Sequence, residues 1–295
     1  MRVFVTGASG SIGTVVIPEL IAAGHDVLGL VRSAAAAAAV TAAGGTPIRG
    51  DLTDLASLRA GATQADGVIN LAFSNDWSNL EQGITEETRA VQTLAAALAG
   101  SGKPFVHAGL TPMIPGHVAT EEDPDTTSGP VGGRGHNSDL VLALAAQDVR
   151  SSVVRLPRAV HQRETAYGFC TALIAAAQKT GAAPYVGDGS QRWPAVNRLD
   201  VAALFRMALE DADPGTVLHA VADTGDTMKS LAQAIGDALG VPIESVPPER
   251  FGVLGQVFAL DMPASGALTQ TRFGWEPAHP SLLEDLAVGG YPVLG

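Results

Sequence analysis

The chain has 295 residues, 46% of them hydrophobic, which is enough for one large domain or two interleaved ones. Its formal net charge of −12 disfavours nucleic acid and anionic membrane surfaces as partners. An anionic cofactor is not excluded, because a helix terminus and one arginine can hold phosphate. The single cysteine, Cys170, excludes an internal disulfide and a cysteine-based metal site.

Other protein classes are also disfavoured by the sequence. No apolar run is long enough to span a bilayer, and the chain starts with a strand pattern instead of the basic start of a signal peptide, so we expect a soluble cytoplasmic protein. The histidines lack metal-ligand spacing, and no Gly-x-Ser-x-Gly elbow follows a strand. We therefore expect no metal and no serine hydrolase. The expected partner is a small-molecule substrate, and a homodimer is left open.

Strand and helix patterns alternate through the first 160 residues, which predicts a parallel sheet covered on both faces. The predicted strands are Arg2–Thr6, Asp26–Val31, Pro47–Arg49, Gly67–Leu71, Phe105–Ala108 and Ser152–Leu156. The predicted helices are Ser11–Ala23, Ser33–Ala43, Leu55–Gly61, Glu86–Ala99 and Ser138–Gln147. The polar, Gly- and Pro-rich segment Thr111–Asn137 is expected as a loop at the carboxyl ends of the strands.

The pattern becomes mixed after residue 160. A helix over Tyr167–Thr180 and short strands near Tyr185 and over Trp193–Arg198 suggest a smaller, substrate-side lobe. The predicted fold class is therefore α/β, a doubly wound parallel sheet with a smaller C-terminal lobe. We assign residues 1–160 to the first domain, with 190–225 adding to it, and 161–295 mainly to the lobe.

A glycine-rich turn follows the first strand and opens the first helix. Gly7 allows a tight turn, Gly10 lets the backbone approach a pyrophosphate, and Gly13 lets the helix pack closely on the strand. Backbone N–H groups and the helix dipole then face the phosphates. The turn predicts a dinucleotide site, whereas the alternative is a turn that binds nothing. Its predicted contact residues are Gly7, Ser9, Gly10, Ser11, Ile12 and Gly13.

The end of the second strand indicates which dinucleotide is preferred. Arg32 and Ser33 stand where NAD-binding folds usually carry an acid, and a guanidinium matches the 2′-phosphate of NADP with two hydrogen bonds. We therefore predict NADP(H) over NAD(H), against the alternative of a solvated arginine. Strand-end residues predicted beside the adenine, ribose and diphosphate are Asp51, Leu52, Leu71, Ala72 and Phe73, although ordinary packing also explains them.

Taken together, the motifs resemble the extended short-chain dehydrogenase/reductase superfamily, including its NAD-dependent epimerase/dehydratase-like members. The resemblance is carried by TGASGSIG at 6–13, GDLTD at 50–54, NLAF at 70–73, SSVVRLPRAVH at 151–161 and VNRLDVAALFRMAL at 196–209. It implies a Rossmann-type domain with a small substrate lobe. It also implies that residues from Pro157 to Val160 lie against the nicotinamide and that residues from Asn197 to Asp200 link the lobes.

The chain departs from this superfamily at the catalytic pair. The superfamily uses a Tyr that transfers the proton, a Lys four residues later and an upstream Ser or Thr. Four residues after the three tyrosines stand Thr171, Gly189 and Gly295, so the sequence contains no Tyr-x-x-x-Lys. Counting back from Arg155 puts the Tyr position near Pro130 or Val131, the Lys position near Arg134 or Gly135, and the Ser position near Ala108 or Gly109.

Other residues could replace the missing pair. Arg134 would supply a positive charge to the ribose or substrate, Thr111 would orient a carbonyl, and His107, His136 or His161 would act near neutral pH.

Structural interpretations stand beside these candidates. His107 is then a strand residue facing a helix, His161 a turn residue, and His136 the residue before a helix capped by Asn137 or Ser138. Trp193, in a polar loop with Asp188 and Arg192, lines a pocket or packs in a core.

The sequence thus favours an NADP(H)-dependent oxidoreductase with a non-standard active site. Hydride transfer needs mainly a positioned nicotinamide and substrate, so a carbonyl, imine or activated alkene of a small, fairly apolar metabolite fits. One alternative is an NADP-binding sensor or partner-binding protein without redox turnover. Another is a non-redox enzyme on the same fold, because a fold does not fix its function.

Overall fold

The computed structural model describes the chain except for residues 75, 77, 78, 115, 126–131, 164 and 292–295. The strands of the described part are β1 Arg2–Thr6, β2 Asp26–Val31, β3 Thr46–Arg49, β4 Gly67–Asn70, β5 Pro104–Leu110, β6 Arg150–Leu156, β7 Ala159–Gln162, β8 Ala166–Tyr167, β9 Ala183–Val186, β10 Arg192–Asn197, β11 Thr216–His219, β12 Asp223–Thr227 and β13 Ile243–Val246. The α-helices are α1 Gly13–Ala22, α2 Ala34–Ala42, α3 Leu55–Gln64, α4 Leu80–Leu98, α5 Gly132–Leu142, α6 Cys170–Thr180, α7 Arg198–Asp211, α8 Met228–Leu239, α9 Gly255–Phe258, α10 Ala267–Phe273 and α11 Leu282–Val288.

These elements form two compact units. The first comprises Met1–Leu110, Asp125–Arg155 and Val201–Leu218. The second comprises Thr111–Pro124, Leu156–Asp200 and His219–Gly295.

A seven-stranded sheet organises the first unit, in the order β11-β6-β5-β4-β1-β2-β3. Arg2 is in register with Asp26 of β2, and Val3 with Gly67 of β4, both in parallel. The predicted α/β fold with a parallel sheet of Rossmann type is confirmed. Strand order reverses on either side of β1, so the carboxyl ends of β1 and β4 bound the crevice where such sheets bind ligands.

The core of the first unit follows from continuous apolar strands and one-sided helices. Val3, Phe4 and Val5 are fully buried, as expected for a strand covered on both faces. Helix α4 buries Leu94 and Leu98, which lie in phase with its other apolar residues, against the same cluster as Phe4. Such burial contributes about 1.5–3 kcal/mol for each large apolar side chain.

The second unit has a four-stranded sheet in the order β12-β10-β7-β8 and a two-stranded pair, β13-β9. Its core gathers residues from the sheet and from α6, α8 and α11, with Trp193, Tyr167 and Phe258 as large buried side chains. Cys170 is buried in α6, and burial raises the pKa of its thiol to about 12. The thiol therefore packs as a small apolar group.

Two helices begin six residues earlier than predicted: α4 at Leu80 instead of Glu86, and α5 at Gly132 instead of Ser138. The segment 111–137 was expected as a loop throughout, yet α5 begins at Gly132, so Arg134, His136 and Asn137 lie inside a helix. The interpretation of His136 as a residue before a helix cap is therefore also wrong. Three glycines in the first turns of α5 hide the helix in the sequence, because glycine is a weak helix former.

Candidate functional site

The glycine turn after β1 has the geometry of a phosphate-binding turn. Gly7 has φ of +67°, a conformation that favours glycine, and a Cβ there would lie 2.9 Å from the backbone N of Ala72. At Gly13, a Cβ would lie 2.6 Å from the carbonyl oxygen of Ala8. The turn therefore requires glycine at both positions, as the sequence predicted from the spacing.

The turn also leaves room for a ligand. Ser9, Gly10 and Ser11 are exposed, and the first turn of α1 carries no acidic residue that would repel phosphate. A Cβ at Gly10 would meet only the carbonyl oxygen of Gly7, at 3.1 Å. The residues present thus fit a pyrophosphate, while Ile12 is half-buried behind them.

The carboxyl end of β2 carries a positive group. Arg32 is exposed, and Ser33 begins α2 by accepting a hydrogen bond from the N–H of Ala36 at 3.1 Å. Asp51 follows β3, where the hydroxyl and N–H of Thr53 hold the pKa of its carboxyl below the ordinary value, with a smaller Coulombic contribution from Arg32. Leu52 beside it packs against the core of the first unit. The guanidinium of Arg32 is thus at the surface and near a carboxylate.

A buried polar chain lies beneath the turn. The Thr6 hydroxyl donates to Asn70 Oδ1 at 2.5 Å and accepts from the N–H of Ala72 at 3.2 Å. The amide of Asn70 lies 3.0 Å from His107 Nδ1. Burial lowers the pKa of His107 to about 4, so its imidazole is neutral at pH 7 and Nδ1 accepts from Asn70. This chain ties β1, β4 and β5 together behind Leu71 and Ala72.

Arg134 on α5 is held by a buried carboxylate. Its Nη2 donates to Glu87 Oε1 at 3.0 Å and to the carbonyl oxygen of Ala108 at 3.1 Å, while its Nε donates to Glu87 Oε2 at 3.3 Å. The guanidinium lies over the ring of Phe73, 4.1 Å from the ring centroid. Because Glu87 is 1% exposed, the charge of Arg134 is compensated inside the first unit.

Further bonds complete this cluster. The Asn137 amide donates to Glu87 Oε2 at 2.9 Å, and its Oδ1 accepts from the Thr88 hydroxyl at 2.7 Å. Glu87 is not among the site residues predicted from the sequence. The signal was present, since Glu87 lies in phase with the buried residues Val91 and Leu94 of α4. An acid on an apolar helix face implies a buried partner.

The remaining predicted residues lie in the second unit. Thr111 is buried, and its N–H donates to the carbonyl oxygen of Leu156 at 3.0 Å. Pro157 is buried directly after β6, and Val160 is half-buried in β7. Whether Pro157 and Val160 contact a nicotinamide stays a prediction.

His161 lies in β7, so its interpretation as a turn residue is wrong. It is fully buried, and its Nδ1 lies 2.8 Å from Asp285 Oδ2. Burial lowers the pKa of His161 more than Asp285 raises it.

Two other candidates have different environments. His136 is exposed on α5. Trp193 is fully buried in the core of the second unit, which favours the packing interpretation over the pocket wall. Pro130 and Val131, the positions expected for the superfamily's Tyr, lie outside the described residues. Within the described part, His, Cys, Asp and Glu form no cluster of three that could hold a metal. No helix there is both long and apolar enough to cross a membrane.

Comparison with known proteins decides the family. The model of the NAD dependent epimerase/dehydratase family matches residues 3–221. The chain belongs to this family. As an epimerase/dehydratase-family member it is 39% identical to an uncharacterized protein of Schizosaccharomyces pombe, over 99% of this chain and 100% of the relative. The resemblance that the sequence motifs indicated is confirmed.

Solved structures share the fold of this family member. DesIV, a dTDP-glucose 4,6-dehydratase of Streptomyces venezuelae with NAD and TYD bound, matches with a TM-score of 0.79 and 19% identity, over 97% of this chain and 95% of that one. A UDP-glucose-4-epimerase of Stenotrophomonas maltophila with bound NAD and formylated UDP-arabinopyranose also has a TM-score of 0.79, at 20% identity over 97% and 96% of the two chains.

Proposed function

We propose that this family member is an NADP(H)-dependent oxidoreductase that reduces a carbonyl, imine or activated alkene of a small metabolite. The observation that carries the proposal is the open glycine turn before a helix whose first turn has no acidic residue, together with the exposed Arg32 at the end of β2. A family of NAD-dependent enzymes and two similar structures containing NAD support a nicotinamide cofactor.

Different residues of the first unit would bind different parts of the cofactor. Gly10 would leave room for the pyrophosphate, which the backbone N–H groups of Ile12 and Gly13 would bind, and Arg32 with Ser33 would bind the 2′-phosphate of the adenosine. Asp51 and Leu52 would contact the adenine. When bound, the cofactor supplies the hydride.

The chain's own residues must orient the substrate and deliver a proton without the Tyr–Lys pair. Arg134 is proposed to hold an oxygen of the ribose or of the substrate by hydrogen bonding, since a guanidinium keeps its proton at neutral pH. The proton then comes from water, from the substrate itself or from another side chain, for which His136 and His161 remain proposals, while Thr111 is proposed to orient the carbonyl. Burial disfavours the protonated form of His161, which counts against it as the donor, whereas its contact with Asp285 favours that form.

Cofactor consumption tests this function. The purified chain is mixed with NADPH and a panel of small apolar ketones, imines and activated alkenes, and absorbance of the reduced nicotinamide is followed. We expect oxidation of NADPH with at least one class, and loss of that activity in the Gly10→Val variant. Tight NADPH binding without oxidation by any class would instead favour a sensor or a non-redox enzyme.

A further inference from the structure

The first unit contains a buried carboxylate that packing alone does not explain. Glu87 is 1% exposed and occupies a position in phase with the apolar residues of α4. An uncompensated carboxylate there would cost several kcal/mol. The Glu87 carboxylate is instead compensated by three hydrogen bonds, two from Arg134 and one from Asn137.

These hydrogen bonds occupy Nε and Nη2 of the Arg134 guanidinium and leave Nη1 available for a further hydrogen bond. Nε and Nη2 donate to Glu87 and to the carbonyl oxygen of Ala108. Among the residues that the structure describes, Nη1 has no hydrogen-bond partner, and the Arg134 side chain keeps 13% of its surface exposed. A guanidinium held by three hydrogen bonds and by the Phe73 ring presents its remaining N–H groups in a fixed direction.

The cluster lies at the ligand-binding edge of the sheet. Phe73 follows β4 by three residues, and the intervening backbone at Leu71 and Ala72 packs against Gly7 of the glycine turn. The carboxyl ends of β1 and β4 are where the strand order reverses. Arg134 is therefore next to the end of the sheet where a dinucleotide would lie.

We propose that Glu87 is a positioning residue, which fixes Arg134 as a hydrogen-bond donor to a neutral oxygen in the nicotinamide half of the cofactor. This inference rests on the proposed function. The reason for a neutral oxygen is electrostatic: the ion pair has no net charge, so it offers directed N–H groups without attracting phosphate or carboxylate. Arg32, which is exposed, remains the group suited to phosphate.

Two folded variants separate positioning from structure. Glu87→Gln leaves the guanidinium without its charged partner, and the double variant Glu87→Gln with Arg134→Met replaces the ion pair by neutral side chains of similar size, which usually preserves stability. Glu210→Gln is the matched control, since Glu210 also pairs with an arginine, Arg206, within the first unit. The ligands are NADPH and 2′,5′-ADP, which lacks the nicotinamide half, and the readouts are dissociation constants and thermal midpoints.

We expect the dissociation constant of NADPH to rise about 10-fold or more in both Glu87 variants, which is the loss typical of one charge-assisted hydrogen bond. That of 2′,5′-ADP should stay unchanged, as should both constants in Glu210→Gln. Wild-type NADPH affinity in the folded double variant would overturn the inference, and so would tighter NADPH binding by Glu87→Gln, because that would show an anionic group beside Arg134. Failure of the wild-type chain to bind either ligand would overturn the proposed function itself.

Discussion

Arg32 is the residue on which cofactor choice depends in this account. It is exposed at the carboxyl end of β2, and its guanidinium lowers the pKa of Asp51 only as the smallest of several contributions. An exposed guanidinium is available to a phosphate. The sequence alone predicted this position, because only the strand end and the residue type were needed.

Replacing Arg32 with Ala should therefore weaken NADPH binding by roughly 1.5–3 kcal/mol, the value of a charge-assisted hydrogen bond. NADH has no 2′-phosphate, so its affinity should change little. Fluorescence titration of both cofactors against both proteins measures the effect. An equal loss of affinity for NADPH and NADH would mean that Arg32 does not bind the 2′-phosphate.

The tyrosines give a second prediction. Tyr167 and Tyr291 are buried in the second unit with their rings 5.6 Å apart, and burial raises the pKa of Tyr291. Both rings pack in the core, and the raised pKa keeps the Tyr291 phenol protonated near neutral pH. Tyr167→Phe, Tyr185→Phe and Tyr291→Phe should each keep substantial turnover, without the high-pH titration of an activated phenol.

Arg134→Ala should be more damaging, by roughly 2.7–4 kcal/mol in the activation free energy, if Arg134 acts on the transition state. Steady-state kinetics of the four variants over pH provides the comparison. A tyrosine variant with that loss beside an unaffected Arg134→Ala would show that the catalytic region lies elsewhere.

Among the elements, the turn between β1 and α1 is proposed to bind the cofactor and is also needed for folding. Different glycines of the turn serve these two functions. Gly10 is exposed, whereas a Cβ at Gly13 would meet the Ala8 backbone. Gly10→Val should keep the circular dichroism spectrum and lose cofactor binding, because its side chain would occupy the phosphate position. Gly13→Val should instead lower the thermal midpoint strongly. Undiminished cofactor binding by Gly10→Val would make the turn purely structural.

Helices α4 and α5 contain the part of the fold and of the candidate site that is hardest to predict from the sequence. The strands of the first 160 residues could be predicted, because apolar runs between turn residues leave few alternatives. Helix α5 could not, since Gly132, Gly133 and Gly135 disfavour a helix that the Glu87 bonds to Arg134 and Asn137 support. For the same reason the candidate site was only half predictable. The glycine turn is local in sequence, whereas the Glu87–Arg134 pair joins residues 47 positions apart.

The stability of the whole molecule should depend on pH through His107. Its pKa falls from 6.5 to about 4 in the folded chain, mainly because of burial, so the folded state binds fewer protons than the unfolded state between these values. The stabilisation by the neutral ring is complete above pH 6.5 and is lost as the pH falls towards 4. This lowering of the His107 pKa corresponds to a change of roughly 3 kcal/mol in the free energy of unfolding.

Chemical denaturation at several pH values tests this dependence. The stability of the wild type relative to His107→Gln should increase by that amount between pH 4 and 6.5 and then level off. The control is His136→Gln, which changes an exposed histidine and should leave the profile unaltered. A gap between wild type and His107→Gln that stays constant with pH would contradict the buried neutral histidine.

We propose above that this epimerase/dehydratase-family chain binds NADP(H) at the glycine turn and binds it more tightly than NAD(H). The most direct test is a pair of equilibrium titrations of the wild-type chain with NADPH and with NADH under identical salt. We expect NADPH to bind at least about 10-fold more tightly, the factor that one charge-assisted contact from Arg32 supplies. Equal affinities, or tighter binding of NADH, would contradict it.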